Sequence, residues 1–364
     1  MLSIGIIGLG AVGLVHLSAY KNLTGGKLVA VAENNEATLA KVDIGDAKGF
    51  SDVSAMLDAM DLDIVVICTP ASSHEALATI CANHGVNILI EKPIALTPDS
   101  GTRIVDVCTK NNVKLYYGST YRCLPAVVAA RNIVQRGDIG EIELMVEQVI
   151  GGKGYDACSA MSFGHYPEGG PGGFPMGIID HGIHLIDVFG WISGLNVVDA
   201  KGRGNISGQD MRAEFLTLTY ENGALGNLLY HEGTYSAALP AEGAFSAGAG
   251  WDIDGYVSPG AWTRTPASIC IYGRTGALRI MHYGNFLYKM DATGVSQIPI
   301  EGTPAPDHFR VQLETFIEDV ELDRPATVPG EVGVSVLETA LKAFDISQSA
   351  MILPLVSMFA AGWI

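Results

Sequence analysis

The sequence predicts an α/β protein in two parts: a doubly wound parallel sheet, followed by an α/β domain with a large, mainly antiparallel open sheet. Short apolar segments alternate with amphipathic ones over residues 1–121, which is typical of parallel strands connected by helices on both faces. From Arg122 onward, polar and apolar residues alternate within each segment, as in antiparallel strands with one solvated face. We therefore predict two domains, residues 1–121 and 122–364.

The first part contains short apolar segments that we interpret as strands of one sheet. They lie at residues 4–7, 27–32, 62–68, 87–90 and 114–117. The segments between them are amphipathic, and several begin with polar or proline residues that favour a helix start. The predicted helices run through residue 20 and over residues 52–60, 73–84 and 97–110.

The second part begins with a predicted helix that Gly137 closes, and the triplet Glu221-Asn222-Gly223 predicts a hairpin turn. Helices are predicted at residues 124–135, 307–322 and 331–351. Strands are predicted at residues 142–150, 197–202, 213–220, 225–231, 267–272, 277–282 and 285–290. A long loop at residues 233–266 is predicted to be functional, either as a lid or as a subunit contact.

Composition and charge limit the classes of partner. A chain of 364 residues is too long for one ordinary core and fits two domains. The formal net charge of −17 disfavours nucleic acid or an anionic membrane as the main partner. The sequence has no apolar run of the roughly 18 residues that a membrane span needs. It also opens without a leader pattern, so we expect a cytoplasmic protein.

Six cysteines are scattered along the chain without a CxxC pair. This pattern favours reduced thiols in the core over a disulfide framework or a zinc site. The residues are Cys68, Cys81, Cys108, Cys123, Cys158 and Cys270.

The segment after the first predicted strand is Gly8-Leu9-Gly10-Ala11-Val12-Gly13. A GxGxxG pattern between a strand and a helix predicts a site for the pyrophosphate of a dinucleotide. Gly8 would allow the tight turn, Gly10 the approach of the pyrophosphate, and Gly13 the contact between helix and strand. Backbone N–H groups at the start of the helix, which include those of Ala11 and Val12, would hold the phosphates.

Glu33 ends the second predicted strand, 20 residues beyond Gly13. A carboxylate at this spacing is expected to bond the ribose 2′-hydroxyl and to repel a 2′-phosphate, which favours NAD over NADP. The alternative is an acidic helix start at Glu33-Asn34-Asn35. His74, at the start of a later helix, has two interpretations: it caps or packs, or it touches the ribose of the cofactor.

The predicted strand Asn87-Ile88-Leu89-Ile90 leads directly into Glu91-Lys92-Pro93. Pro93 restricts Lys92 to extended geometry, which directs the ammonium out of the carboxyl edge of the sheet. Ligands bind at that edge in an open parallel sheet, so Lys92 is a candidate catalytic residue. The alternative is a surface lysine that follows an edge strand.

Asp180 and His184 are four residues apart in a predicted helix over residues 178–187, which places them on one face within hydrogen-bonding reach. A carboxylate beside an imidazole fixes its tautomer and raises its basicity, as a proton-abstracting base requires. A structural hydrogen bond or a cap is one alternative. A metal site that uses Asp180, His181 and His184 is another, but no further ligand shell is evident and we predict no metal.

Taken together, these residues resemble the Gfo/Idh/MocA oxidoreductases, named from glucose-fructose oxidoreductase and inositol dehydrogenase. The resemblance covers nearly the whole chain and rests on a set of short motifs. They are Gly8-Leu9-Gly10-Ala11-Val12-Gly13 with His16, Thr69-Pro70 with His74, Glu91-Lys92-Pro93, Arg122 with Pro125, Gly137-Asp138-Ile139-Gly140, and Asp180-x-x-x-His184.

The resemblance implies a Rossmann domain and an α/β domain whose open sheet often mediates homodimers or homotetramers. It also implies NAD(P)-dependent oxidation or reduction of a sugar or cyclic polyol hydroxyl. By position, Lys92 would be the catalytic or substrate-orienting lysine, His184 the general acid/base and Asp180 its partner. Further cofactor contacts would be Thr69, Pro70, His74, Glu91 and Lys92. Substrate contacts would be Lys92, Arg122, Asp180, His184 and Asp187.

Two features depart from the family pattern. Glu33 stands where the family often has Asp, which is chemically equivalent but shorter. The predicted loop at residues 233–266 has no counterpart that we can assign, which leaves the identity of the substrate open.

The hypothesis that follows is a sugar or polyol dehydrogenase with NAD+ along the glycine turn. A ring hydroxyl would lie between Lys92 and His184, which removes its proton while the hydride goes to the nicotinamide. One alternative is an NAD-binding regulator without chemistry, although such a protein is expected to lack the lysine or the histidine. Another is a redox-assisted sugar lyase or hydrolase that retains its NAD.

Overall fold

The computed structural model describes residues 1–150, 178–207, 210–231, 269–302 and 307–343. The predicted loop at residues 233–266, the end of the last predicted helix and Cys158 lie outside these ranges. Within the described ranges, no helix has both the length and the hydrophobicity to cross a bilayer.

The first part of the chain forms a six-stranded, all-parallel sheet in the order β3-β2-β1-β4-β5-β6. Its strands are β1 Leu2–Ile7, β2 Gly26–Ala32, β3 Lys48–Phe50, β4 Ile64–Ile67, β5 Asn87–Ile90 and β6 Leu115–Tyr117. The prediction of a doubly wound parallel sheet is confirmed. The strand order reverses between β1 and β4, and ligands of such sheets bind in the crevice at that point. Strand β3 was not predicted, because its three residues are half-buried or exposed and have no apolar pattern.

Five helices connect these strands: α1 Ala11–Ala19, α2 Glu36–Leu39, α3 Val53–Ala59, α4 His74–Asn83 and α5 Pro98–Lys110. Three of them begin at a polar side chain that accepts backbone N–H bonds, namely Asn35, Asp52 and Thr97. The predicted starts of α3 and α5 are therefore confirmed with their physical cause. Helix α2 has only one turn and no buried residue, and its N-cap Asn35 lies in the segment Glu33-Asn34-Asn35 that was named as an alternative helix start.

The second part contains an eight-stranded sheet in the order β14-β13-β12-β11-β7-β10-β9-β8. Its strands are β7 Ile142–Ile150, β8 Val197–Ser207, β9 Asp210–Tyr220, β10 Leu225–His231, β11 Ile269–Gly273, β12 Gly276–Met281, β13 Phe286–Asp291 and β14 Gly294–Ile298. All neighbours are antiparallel except the parallel pair β7 and β10. The predicted, mainly antiparallel sheet is confirmed, with β14 as an unpredicted edge strand.

The predicted hairpin turn at residues 221–223 joins β9 to β10. Gly223 takes the left-handed conformation with a φ of 87°, which a residue with a side chain rarely adopts. The Asn222 side chain accepts from the backbone N–H of Ala224 and donates to the carbonyl of Ile142. The turn is therefore fastened to the start of β7.

The described helices of the second part are α6 Pro125–Gln135, α7 Ile183–Ser193, α8 His308–Glu321 and α9 Gly330–Ala343. A π-helical turn, Ile178–Gly182, precedes α7. The prediction of one regular helix over residues 178–187 is wrong in its first half, because a π turn closes its hydrogen bonds five residues apart. Helix α7 also runs six residues further than predicted and ends at Gly194, which adopts the left-handed conformation.

The two faces of the second sheet differ in burial. Along β9, residues 214, 216, 218 and 220 are buried and residue 215 is exposed, as strand alternation requires. The open face carries a row of residues on neighbouring strands, in which Leu144 lies between Leu225 and Tyr272. The side chains of Leu225 and Tyr272 are exposed. The opposite face carries the buried carboxylates of Glu147 and Glu214.

The last two described helices return to the first sheet. Ile317 of α8 packs against the backbone at Gly25 and Gly26, next to β2. The backbone N–H of Tyr117 donates to the carbonyl of Val328, which precedes α9. The second part of the chain is thus packed against the amino end of β2 and against the edge strand β6.

Candidate active site

The glycine turn between β1 and α1 has the geometry that the sequence predicts. Gly8 has a φ of 95°, and a Cβ on it would lie 2.9 Å from the Thr69 methyl carbon. A Cβ on Gly13 would lie 2.1 Å from the Gly8 carbonyl oxygen, so neither position accepts a larger residue. Around Gly10, by contrast, no atom of the described chain lies within 4 Å of where a Cβ would stand. The turn is therefore open on the side from which a pyrophosphate would approach.

Helix α1 begins at Gly10 without a side-chain cap and without an acidic residue in its first turn. The first N–H groups of a helix have no acceptor within the helix, and the dipole adds a positive end. An anion can bind there. Ala11 and Val12, the predicted phosphate contacts, are the first two residues of this helix.

Glu33 lies beside the glycine turn, at the end of β2. Its carboxylate accepts from the backbone N–H of Leu9 at 2.7 Å and from that of Asn35 at 2.9 Å. A carboxylate has about four acceptor sites, so these two bonds leave capacity for a ribose hydroxyl. The bond to Leu9 also fixes the shape of the turn, a role that spacing alone does not indicate.

Thr69, Pro70 and His74 follow β4, on the other side of Gly8. The Ser73 hydroxyl donates to the Thr69 hydroxyl at 2.7 Å. The His74 ring is fully buried, with its nitrogens 2.8 Å from the Thr69 carbonyl and 3.1 Å from the Ile94 carbonyl. Of the two interpretations of His74, these contacts favour packing of its ring, and its contact with the cofactor stays a prediction.

Lys92 follows β5 at the carboxyl edge of the first sheet. The alternative of a surface lysine is wrong, because the residue is only 8% exposed. The Lys92–Pro93 peptide bond is cis. The residue before it, Glu91, is also buried.

The Glu91 carboxylate is used inside the protein. It accepts from the Lys92 backbone N–H at 3.0 Å and from the His16 Nε2 at 2.6 Å. Burial alone would raise the pKa of Glu91, but the hydrogen bond and the charge of His16, with the charge of Lys92, outweigh it and hold the pKa below its usual value. Glu91 thus has a structural contact to His16, and its predicted contact with the cofactor stays a prediction.

Arg122 and Asp187 form an ion pair with two hydrogen bonds, in which Arg122 Nε lies 2.8 Å from Asp187 Oδ2. The Ser119 hydroxyl donates to the same carboxylate. The Asp187 residue is only 4% exposed. The pair fastens α7 to the segment after β6, and the substrate contacts of both residues stay predictions.

His184 lies on α7, and its ring stacks on that of Tyr121 with centroids 4.3 Å apart and planes 5° apart. The Tyr121 hydroxyl in turn forms a hydrogen bond with the hydroxyl of Tyr283. The neighbouring His181 places Nε2 2.9 Å from the Glu147 carboxylate. The side chain of Asp180 lies outside the described residues, so its predicted bond to His184 stays a prediction.

The residues after β6 bring the two predicted catalytic residues toward one region. The Gly118 N–H donates to the Ile90 carbonyl at 2.8 Å, two residues before Lys92. Within the next four residues, Ser119, Tyr121 and Arg122 contact side chains of α7. The strand that carries Lys92 and the helix that carries His184 thus meet at the same segment, residues 118–122.

Sequence reasoning missed Tyr121, Tyr283 and Glu147. Glu147 had a usable signal, since it is a carboxylate on the buried side of the alternation in the strand at residues 142–150. The two tyrosines had none, because their pairing joins residues 162 positions apart. Among the described residues, no group of three or more His, Cys, Asp or Glu side chains could hold a metal ion.

Comparison with known proteins adds the family to this geometry. Residues 2–119 match an oxidoreductase family with an NAD-binding Rossmann fold, and residues 171–352 match the C-terminal alpha/beta domain of the same family. D-apiose dehydrogenase of Paraburkholderia graminis is 29% identical over 60% of this chain and 57% of its own length. Inositol 2-dehydrogenase 2 of Saccharopolyspora erythraea is 28% identical over 62% and 65%. The chain therefore spans less than two thirds of either relative.

A solved structure of similar fold is scyllo-inositol dehydrogenase from Lactobacillus casei with NAD(H) and scyllo-inositol bound. Its TM-score is 0.72 at 21% identity, over 95% of this chain and 98% of that chain. At this identity the likeness concerns the fold alone. The two domain matches account for most of the sequence, and the chain belongs to the Gfo/Idh/MocA family of oxidoreductases.

Proposed function

We propose that this protein is an NAD-dependent dehydrogenase that transfers a hydride between a nicotinamide cofactor and a hydroxyl-bearing carbon of a sugar or cyclic polyol. The observation that carries the proposal is the meeting of two elements at residues 118–122. Gly118 is bonded to the strand that carries Lys92, and Tyr121 is stacked on His184. A lysine and a histidine on two elements that meet at one segment would be suited to a single alcohol oxygen.

The cofactor would lie along the glycine turn. The open side of Gly10 and the uncapped start of α1 fit its pyrophosphate, and Thr69 and Pro70 border the same turn. The Glu33 carboxylate would accept a hydrogen bond from the ribose 2′-hydroxyl, and it would repel the 2′-phosphate of NADP. We therefore propose NAD as the preferred cofactor.

Residues of this chain would accept the proton and orient the alcohol. The Lys92 ammonium would donate a hydrogen bond to the substrate oxygen and stabilise the negative charge that develops there. The His184 imidazole would take the hydroxyl proton as general base, with Asp180 as the partner that sets its tautomer. A nicotinamide cofactor held along the glycine turn would supply hydride-transfer chemistry at the carbon that bears this hydroxyl. General base catalysis of this kind contributes typically about 10²- to 10⁴-fold.

The substrate class is proposed from the relatives and from the two residues that would hold a hydroxyl. The curated relatives act, by name, on the sugar apiose and on the polyol inositol. Both substrates carry neighbouring hydroxyls, and a lysine and a histidine recognise hydroxyl oxygens by hydrogen bonds. We infer a small polyhydroxylated ring or chain rather than an apolar alcohol.

We also propose that the protein assembles as a homodimer or homotetramer through the second sheet. The open face of that sheet exposes Phe215, Leu225 and Tyr272, each at least 36%. Large apolar side chains that share one open face are typical of a surface that another chain covers. A second copy would bury them.

The test of the dehydrogenase proposal is a panel of monosaccharides and inositols offered with NAD+ or with NADP+. We expect a rise in the ultraviolet absorbance of reduced nicotinamide for at least one member, faster with NAD+ than with NADP+. No turnover across the panel with either cofactor would contradict the proposal. Turnover of a sugar with no net change in absorbance would favour a lyase or hydrolase that regenerates its NAD.

A further inference from the structure

Three buried side chains form a continuous series of hydrogen bonds between helix α1 and Lys92. His16, on α1, places Nδ1 2.5 Å from the Tyr20 hydroxyl and Nε2 2.6 Å from the Glu91 carboxylate. The second oxygen of Glu91 accepts from the backbone N–H of Lys92 at 3.0 Å. We call His16, Tyr20 and Glu91 the relay. All three residues are at most 5% exposed.

The carboxylate of Glu91 fixes the direction of its bond to His16. The pKa of Glu91 is held below its usual value although burial opposes this, so the carboxylate is ionised and only accepts. The Nε2 of His16 must then carry a proton and donate. Burial, together with the charges of Cys68 and Glu91, raises the pKa of Tyr20 well above its usual value. The phenol therefore stays protonated, and its hydroxyl shares a hydrogen bond with Nδ1 of His16.

The relay joins parts of the fold that are distant in sequence. His16 lies on the helix that begins at Gly10, and Glu91 lies at the end of β5, 75 residues away. The ring of Phe309, from α8 of the second part, packs edge-on against His16 with centroids 4.8 Å apart. A carboxylate is costly to bury unless it is paired, and a hydrophobic contact of the same size would fill this place without that cost. The charge therefore calls for a role beyond packing.

We propose that Glu91 and His16 are positioning residues, which hold Lys92 at a fixed position and orientation relative to helix α1. The inference rests on the proposed dehydrogenase function, in which Lys92 contacts the substrate oxygen. Glu91 bonds the backbone of Lys92 directly, and His16 ties Glu91 to the element that starts at the pyrophosphate turn. A shift of the lysine by 1 Å can cost about 10²-fold in rate without a change in binding.

A role in folding alone makes a different prediction from a role in positioning. If the relay only stabilised the fold, its loss would lower stability and turnover whether or not Lys92 were present. If it acts through Lys92, its loss should have no further effect on turnover once Lys92 has been replaced. The two roles can therefore be separated by a double-mutant cycle.

The kinetic experiment compares Glu91→Gln, Lys92→Ala and the double variant, under single-turnover conditions with NAD+ and the best substrate of the panel. We expect Glu91→Gln to lower the rate by about 10- to 100-fold, with the Kd for NADH within about threefold of wild type. In the Lys92→Ala background, the same change should lower the rate by less than about twofold. Glu75→Gln is the matched control, since Glu75 is a paired carboxylate that bonds Arg103 and Ser100 away from the relay.

A second pair of variants tests the bond from His16 and guards against a variant that fails to fold. His16→Leu removes the donor to Glu91, whereas His16→Gln keeps a donor at a similar place. We expect His16→Gln to restore most of the rate that His16→Leu loses. Equal loss in the two variants would contradict the role assigned to the Nε2 donor.

A labelling experiment gives a readout that does not depend on turnover. Acetic anhydride modifies lysines in proportion to their accessibility, and peptide masses report the rate at Lys92 relative to the exposed Lys110. We expect the ratio to rise at least about threefold in Glu91→Gln and His16→Leu, because the lysine is less firmly held. It should not change in Glu75→Gln.

The outcomes separate the two proposals. An unchanged labelling ratio, or a full loss of rate from Glu91→Gln in the Lys92→Ala background, would overturn the positioning role. If wild-type protein turns over no member of the panel, the dehydrogenase proposal fails, and the labelling ratio alone then decides whether the relay holds Lys92.

Discussion

The partners of buried charged side chains are distant in sequence, so single residues were harder to assign than helices and strands. Asp187 has three donors from Arg122 and Ser119, so its burial carries little penalty. Glu147 has one oxygen bonded to His181, and its other oxygen has no hydrogen-bond partner within the described residues. Leaving a buried acceptor unpaired costs about 1–3 kcal/mol.

Buried histidines lead to a prediction about acid stability. Burial, with the charge of His16, lowers the pKa of His308 to about 3, from an ordinary value of 6.5. Between these values the unfolded chain binds a proton that the folded protein refuses, so stability is full above pH 6.5 and falls as the pH is lowered toward 3. The loss between pH 6.5 and pH 5 should be about 2 kcal/mol for this residue.

The measurement is urea unfolding of wild type and His308→Gln at pH 7 and pH 5. His282, whose pKa burial lowers to about 4, keeps its own contribution in both proteins. We expect the variant to lose less stability on acidification than wild type. The same loss in both proteins would show that His308 is not buried in its neutral form.

The residue roles that sequence could predict were those with a local signal. Gly8, Gly10 and Gly13 follow a strand and precede a helix, and the structure gives each the space or contact that its place in the motif requires. Arg122 and Asp187 were assigned to the substrate from the family resemblance, and nothing local in the sequence shows that they bind one another across 65 residues. His74 had two interpretations, and only the position of two main-chain carbonyls separates them.

At the scale of elements, the glycine turn offers two substitutions with opposite consequences. A Cβ on Gly13 meets the backbone oxygen of Gly8, whereas a Cβ on Gly10 meets nothing in the described chain within 4 Å. Gly13→Ala should therefore destabilise the fold by about 1–3 kcal/mol and weaken cofactor binding. Gly10→Ala should leave stability within about 0.5 kcal/mol of wild type and still weaken NADH binding by about tenfold or more.

The measurements are unfolding in urea and the quenching of protein fluorescence by NADH. Each variant serves as the control for the other, because both add one methyl group to the same turn. Gly10→Ala with normal NADH affinity would place the cofactor elsewhere than on this turn.

Elements were predicted best where pattern and capping agree. Helix α5 has Thr97 as its N-cap and Pro98 in its first turn, and strand β5 is a buried apolar run, so both were found in the sequence. Strand β3 is an edge strand of the first sheet, and β14 is an edge strand of the second. Few of their residues are buried, and their apolar pattern is weak. The π turn before α7 has no pattern of its own, since its residues also fit a regular helix.

At the scale of the whole molecule, the open face of the second sheet predicts self-association. Phe215 and Leu225 are each 42% exposed on that face, on paired strands. We expect light scattering after size exclusion to give the mass of a dimer or tetramer, and Phe215→Glu to shift it toward the monomer. Leu322→Glu is the control, since Leu322 is an exposed leucine at the end of α8 and away from the sheet. A monomeric wild type would contradict the proposal.

The chain as a whole was predictable because both of its sheets have clear periodic signals and one parallel sheet carries the cofactor motif. The arrangement of the two parts was not, because it depends on contacts such as Ile317 against Gly26 and Phe309 against His16, which are nearly 300 residues apart. Those contacts join the two parts of the chain.

The central claim is that Lys92 and His184 act on one alcohol beside a bound nicotinamide. The most direct measurement is single-turnover hydride transfer by wild type, Lys92→Ala and His184→Ala, with NADH affinity measured on the same samples. We expect each variant to lose at least about 10²-fold in rate while its NADH affinity stays within about threefold. Wild-type rates in both variants would contradict the claim.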